Sequence, residues 1–267
     1  MTSETFRPTW MMIVRDYLNR ALRGELHLPP WWLRDVGGSD FKRTGEEFLQ
    51  RFIRLGKLQP DEQVLEIGCG SGRMAIPLTR YLAPTALYVG MDITLPTIRW
   101  CQRYITPRHP NFIFLHADLY NKRYNPQGRY RAEDYPFPFR DRSFDFIFLT
   151  SVFTHLLPAA TTHYLEEIRR MMTDRGRAFL TFFLLNEEQR RLAAASRNDI
   201  DFRYGAGGYR MRDAEVPESA VAYEEDYLLA RLERVGLALE APPYYGTWSG
   251  REDGLSYQDI LIVRRAG

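Results

Sequence analysis

The chain has 267 residues, 45% of them hydrophobic and 14% aromatic, with 36 basic against 34 acidic side chains. That is enough apolar material for a full core with embellishments, and no apolar run approaches the roughly 18 residues of a membrane span. The near-even charge and the lack of a lysine- or arginine-rich tail argue against nucleic acid as partner, and two isolated cysteines, Cys69 and Cys101, make neither a disulfide framework nor a zinc site and fit a reducing cytoplasm.

The first residues, with Thr2, Glu4, Arg7 and Pro8, lack the basic stretch and apolar run of a signal peptide. Residues 1–60 read as a helical, aromatic N-terminal extension, a lid or a substrate-side element. Apolar side chains at helical spacing predict a helix over 11–22, which Pro29-Pro30-Trp31-Trp32 breaks. Gly37-Gly38-Ser39-Asp40 reads as a turn, and a second helix opens with Thr44 as its cap and runs through Leu55.

From 61 to 267 strand and helix alternate: 62–68, 73–82, 87–92, 95–105, 111–116, 143–150, 160–172 and 176–186. This predicts an α/β fold with a parallel sheet and helices on both faces. Two insertions interrupt it, near 120–139 (rich in proline and tyrosine) and near 187–222 (with Gly205-Ala206-Gly207-Gly208-Tyr209). A helix over 223–235 and a last pair of strands, 236–245 and 256–264, complete the chain.

The most informative stretch is Val64-Leu65-Glu66-Ile67-Gly68-Cys69-Gly70-Ser71-Gly72-Arg73. A buried strand runs into glycines that permit positive φ and a close approach of ligand to backbone. A dinucleotide fingerprint places its third glycine five positions after its first; here Gly72 stands four after Gly68. The loop is of nucleoside type and a poor phosphate cradle, which disfavours a nicotinamide oxidoreductase. Further along, Tyr88-Val89-Gly90-Met91-Asp92 is a strand ending in an acid suited to ribose hydroxyls. Phe112-Ile113-Phe114-Leu115-His116-Ala117-Asp118-Leu119 ends the same way. Ser143-Phe144-Asp145-Phe146-Ile147-Phe148-Leu149-Thr150 is a fourth strand, followed by the loop Ser151-Val152-Phe153-Thr154-His155-Leu156.

In that order the motifs resemble the class I S-adenosylmethionine-dependent methyltransferases, over residues 60–186 and into the C-terminal tail. The resemblance implies a Rossmann-like, mostly parallel seven-stranded sheet whose last strand is antiparallel. It also implies S-adenosylmethionine as cofactor, leaving as S-adenosylhomocysteine. Carried onto this chain, Glu66 organises the methionine end, Gly68, Gly70 and Gly72 admit the cofactor, and Arg73 approaches its carboxylate. Asp92 takes the ribose, Asp118 the adenine amino group, Ile93 and Leu119 flank the adenine, and Thr150, at the end of the fourth strand, is a further cofactor-binding residue.

His155 stands where the methyl group would be presented, and a neutral imidazole there is the candidate general base. No His, Asp and Glu arrangement has metal-ligand spacing, so no metal is expected. Trp31, Trp32, Phe41, Phe153, Tyr244, Tyr245 and Trp248 are the candidate walls of a substrate pocket. Thr150-Ser151-Val152-Phe153 replaces the Asp/Asn-Pro-Pro-aromatic motif of methyltransferases acting on base amines or glutamine. A small or medium-sized acceptor remains, methylated on a natural-product, sugar or lipid-linked hydroxyl. N- or C-methylation and a non-catalytic cofactor-binding scaffold are the alternatives, and the sequence is silent on oligomeric state.

Overall fold

The computed structural model describes residues 8–34 and 40–267. The turn expected at Gly37-Gly38-Ser39 lies outside them, as do Thr2, Glu4 and Arg7. Two helices lead in, α1 (Trp10–Leu22) and α2 (Phe41–Arg54). The cap of α2 is Asp40, whose carboxylate accepts the Arg43 N–H at 2.9 Å, so the helix begins a turn before the Thr44 cap read from sequence.

The main sheet holds β1 (Val64–Ile67), β2 (Tyr88–Asp92), β3 (Phe112–His116), β4 (Phe144–Leu149), β5 (Met172–Phe182), β9 (Leu237–Leu239) and β10 (Asp259–Arg265). Their spatial order is β3-β2-β1-β4-β5-β10-β9. The first five are parallel, and β10 runs antiparallel to both of its neighbours. This is the expected seven-stranded, Rossmann-like arrangement. Strand order reverses at β1, which pairs with β2 on one side and β4 on the other, and open α/β sheets bind ligands beside such a point.

Both faces of the sheet are covered, as its mostly apolar strands require. On one face Leu49 and Phe52 of α2, Leu78 of α3 (Ala75–Leu78) and Ile98 of α4 (Leu95–Tyr104) pack on Val64, Phe146, Phe148 and Phe179. The Phe52 ring sits 4.4 Å from Phe148 and 4.9 Å from Phe179, centroid to centroid. On the other face Leu165 and Ile168 of α5 (Pro158–Met171) and Leu228 and Leu232 of α7 (Glu225–Arg234) pack on Leu65, Ile147 and Leu180.

Three elements differ from the sequence expectation. The helix expected over 73–82 contracts to α3, flanked by turns. Pro77 has no N–H to give the Arg73 carbonyl, and α2 packs onto that freed carbonyl at Gly45, where a Cβ would lie 2.4 Å from the oxygen. The insertion near 187–222 is not a loop. It contributes α6 (Glu187–Ala194) and β7 (Tyr209–Met211), and β7 joins β6 (Leu184–Leu185) and β8 (Val221–Glu224) in a second sheet of order β6-β8-β7. Tyr223 therefore belongs to a strand, and the following helix starts at Glu225.

Candidate active site

At the carboxyl ends of β1, β2, β3 and β4 lies a cleft that opens to solvent. Its floor is the glycine loop. Gly68 has φ +84°, and a Cβ there would stand 2.3 Å from Val152 Cγ2, so only glycine lets the loop after β4 close over β1. Gly70, at φ +51°, faces open space instead. Ser71, beside it on the cleft wall, carries a buried hydroxyl with no hydrogen-bond partner among the described residues.

Asp92 is the one carboxylate on the wall among the described residues. Its Oδ2 accepts the Gly70 N–H at 2.7 Å, and its Oδ1 accepts the Thr94 N–H at 2.8 Å and the Thr94 hydroxyl. A carboxylate offers about four lone-pair sites, so one further donor can be received. Ile93 and Leu119 line the cleft, as do Thr150 and Tyr164. Burial raises the Tyr164 phenol well above its ordinary value and keeps it protonated.

The loop after β4 is set by Ser151, a non-glycine residue at φ +60°. Thr181 and Gln258 hold it there: the Ser151 N–H donates to Thr181 Oγ1 (2.8 Å) and its hydroxyl to Gln258 Oε1 (3.1 Å). The turn delivers His155 to the cleft. His155 Nδ1 lies 2.8 Å from the Glu218 carbonyl, which only accepts, so Nδ1 carries the proton and Nε2 keeps its lone pair. Nε2 faces the Tyr124 hydroxyl at 3.4 Å. Burial pushes the imidazole down to about 4, against the hydrogen bond that Nδ1–H donates to the Glu218 carbonyl, which favours the charged form. The ring is neutral throughout the physiological range.

Both insertions therefore converge on His155. Tyr124 comes from the first, where Asn121 Oδ1 accepts the Arg123 and Tyr124 N–H groups (both 3.0 Å) in a side-chain-closed turn. Glu218 comes from the second. Tyr124, Asn121, Ser71, Thr94 and Tyr164 escaped the sequence reading. The turn-forming Asn121 followed by an aromatic was the one signal present for them.

Several expected site residues stand elsewhere. Glu66 is buried beneath the cleft, hydrogen-bonded to the Tyr88 hydroxyl, and burial lifts its carboxyl to about 8. Gly72 packs toward the side chains of Ile105 and Cys101. Arg73 borders a separate crevice with Phe41, Leu28 and Pro77. Asp118 anchors the first insertion: its carbonyl accepts the Arg129 and Tyr130 N–H groups (2.9 and 3.0 Å), and its carboxylate accepts from Asn125 (3.3 Å).

None of the expected aromatic walls lines the cleft. Phe153 is fully buried, stacked 4.5 Å from Phe182. Trp248 is fully buried and donates its indole N–H to Asp259 at 2.8 Å. Trp31 is half exposed and borders another crevice with Asp16 and Arg34, Trp32 packs edge-on against it, and Leu33 beside them reaches the cleft instead. Tyr244 bridges to Ile260, and Tyr245 donates to Glu225 at 2.8 Å. Large apolar rings at these positions were worth more as packing than as pocket lining.

A family model described as "Methyltransferase domain" matches residues 64–176, which span β1 to the start of β5 and include the glycine loop, Asp92 and His155. The chain carries a class I methyltransferase domain. Among curated proteins, it is 34% identical over 117 residues to the probable phthiotriol/phenolphthiotriol dimycocerosates methyltransferase 2 of Mycobacterium ulcerans (strain Agy99), covering 43% of this chain and 37% of that one. Methyltransferase 1 of the same name and strain is 32% identical over 117 residues, covering 43% and 35%. The chain thus matches little more than a third of the length of these relatives.

Among solved structures, a Pyrococcus horikoshii OT3 protein superposes with TM-score 0.56 at 17% identity, covering 87% of this chain and 94% of that one. The Burkholderia thailandensis 1,6-didemethyltoxoflavin-N1-methyltransferase, solved with bound 1,6-didemethyltoxoflavin and S-adenosylhomocysteine, gives 0.52 at 14%, covering 98% and 94%. These likenesses establish the methyltransferase fold. Among the described residues, no group of three His, Cys, Asp or Glu side chains is placed to hold a metal, and no helix is long and apolar enough to cross a membrane.

Proposed function

We propose that the chain transfers a methyl group from S-adenosylmethionine to a hydroxyl of a small or medium-sized natural-product, sugar or lipid-linked acceptor, releasing S-adenosylhomocysteine. One observation carries this reading: a single cleft gathers the open backbone at Gly70, the Asp92 carboxylate and the unprotonated Nε2 of His155.

The cleft suits such a cofactor. Gly70 leaves space where a side chain would intrude, Ser71 offers an unspent hydroxyl, and Asp92 has one acceptor position left for a ribose hydroxyl. Ile93 and Leu119 supply apolar wall for a base. When bound, S-adenosylmethionine supplies an activated methyl on a sulfonium.

The protein's part is orientation, exclusion of water and removal of one proton. As the acceptor oxygen bonds to the methyl carbon, the carbon–sulfur pair returns to sulfur and the hydroxyl proton passes to His155 Nε2. Tyr124 stands at that nitrogen and either relays this proton or gives place to the acceptor hydroxyl. The Glu218 carbonyl holds the Nδ1–H tautomer that the step requires. We place this work in the cytoplasm, where Cys69 and Cys101 would persist as the free buried thiols they are.

A mass-spectrometric screen of hydroxyl, amine and carbon acceptors with the protein and S-adenosylmethionine tests the reading. O-methylated products that vanish without protein support it. Turnover confined to amine or carbon acceptors would move the assignment to N- or C-methylation.

A further inference from the structure

Helix α1 turns its apolar side away from the protein. At about 100° per residue, Trp10, Ile13, Tyr17, Leu18 and Leu22 fall on one half of the helix. Leu22 is 86% exposed and Trp10 77%. Packing runs through Asp16 and Arg20 on the opposite half. Asp16, the one buried residue of α1, pairs with Arg20 at 2.7 Å and accepts the Trp31 N–H at 3.2 Å, while Arg20 donates to the Leu28 carbonyl at 2.9 Å. A helix that serves a protein core turns its apolar stripe inward; this one does the reverse.

Charge decides the occupant of that face. Arg15 stands exposed at its edge and Arg23, also exposed, follows the helix, while Arg20 is taken up by Asp16. With the Asp16–Arg20 pair set aside, residues 8–34 hold three arginines, Arg15, Arg23 and Arg34, against one acid, Glu25. An apolar half-cylinder with aromatic residues and a basic fringe is the pattern of a helix lying in a membrane interface. A second copy of the chain would bring like-charged fringes together across a two-fold axis.

We infer that α1 docks peripherally on a bilayer surface containing anionic lipid. The turn that Asp16 ties to α1 ends in Leu33 on the cleft wall. Docking therefore holds the cleft mouth beside the lipid and favours an acceptor with an apolar tail. That last step rests on the proposed methyl transfer; the docking does not.

The test is co-sedimentation of the full chain, without cofactor, with phosphatidylcholine vesicles containing a minority of phosphatidylglycerol. Binding is expected to weaken as salt is raised or as phosphatidylglycerol is omitted. Leu18→Glu with Leu22→Glu is expected to lower the partition at least about tenfold. Both positions are exposed, so circular dichroism and the thermal transition should stay unchanged. No vesicle binding by the wild-type chain, or equal binding by the variant, overturns the proposal. So does a concentration-dependent dimer that the same variant abolishes, since the face would then belong to a second copy. Because no cofactor is used, failure here leaves the methyl-transfer reading to its own test.

Discussion

Asp92 Oδ2 accepts the Gly70 N–H at 2.7 Å, so the carboxylate that faces the cleft from β2 also closes the loop that leaves β1. The proposed cofactor contact and the shape of the loop are therefore coupled. Asp92→Ala removes the acceptor for Gly70 and Thr94 together. Each orphaned donor costs on the order of 1–3 kcal/mol. The expected outcome is a lower thermal transition even without ligand, with at least about a tenfold loss in S-adenosylhomocysteine affinity. An unchanged transition would show that the loop does not depend on this carboxylate.

His155 gives a pH dependence of definite sign. Its imidazole is held at about 4, below the ordinary 6.5, so the neutral base persists well below neutral pH. The acid limb of kcat should break near pH 4 to 5 and not near 6.5. Stability follows the same group: it is full above 6.5 and falls as pH drops toward 4, because the unfolded chain takes up the proton first. His155→Gln should slow methyl transfer roughly 10²–10⁴-fold and soften that acid-side loss of stability. A kcat unaffected by the substitution would remove His155 as the base.

Much of this was legible in the sequence, for reasons that particular residues show. Val64 to Gly72 is locally determined: an apolar strand must end where the glycines begin, and Gly68, Gly70 and Gly72 all take the positive φ that their spacing anticipated. Asp92 was legible because it ends a strand. Trp248 was misread because its partners are distant in sequence. The buried Asp259 receives its indole N–H, the Leu184 N–H and the Gly246 N–H, which turns an apparent pocket wall into a clasp between β6, β10 and the loop before β10. The second sheet was hidden for the same reason, since β7 and β8 are short and pair only once the chain has folded back. Tyr124 was hidden because the Asn121 turn that aims it fixes a direction that periodicity does not encode.

Glu66 supplies a test of opposite sign. Burial raises its carboxyl from 4.5 to about 8, so the unfolded chain ionises first as pH rises. Wild-type stability should decline between those values, at up to about 1.4 kcal/mol per pH unit from this group, and level off above 8. Glu66→Gln, which keeps a hydrogen-bonding partner for Tyr88, should flatten the decline. Parallel thermal transitions of the two proteins from pH 5 to 8 would refute the buried-acid account.

Gly68→Ala adds a methyl 2.3 Å from Val152 Cγ2 at φ +84°. The combined clash and strain should cost on the order of 1–3 kcal/mol in urea unfolding. Adding Val152→Ala should recover the steric part and leave the backbone part. Full recovery would mean that the left-handed conformation costs nothing here.

The most direct measurement is calorimetric titration of the wild-type chain with S-adenosylhomocysteine and, in parallel, with NAD. One saturable site for S-adenosylhomocysteine and no heat from NAD is the predicted result. NAD binding without S-adenosylhomocysteine binding would contradict the account at its centre.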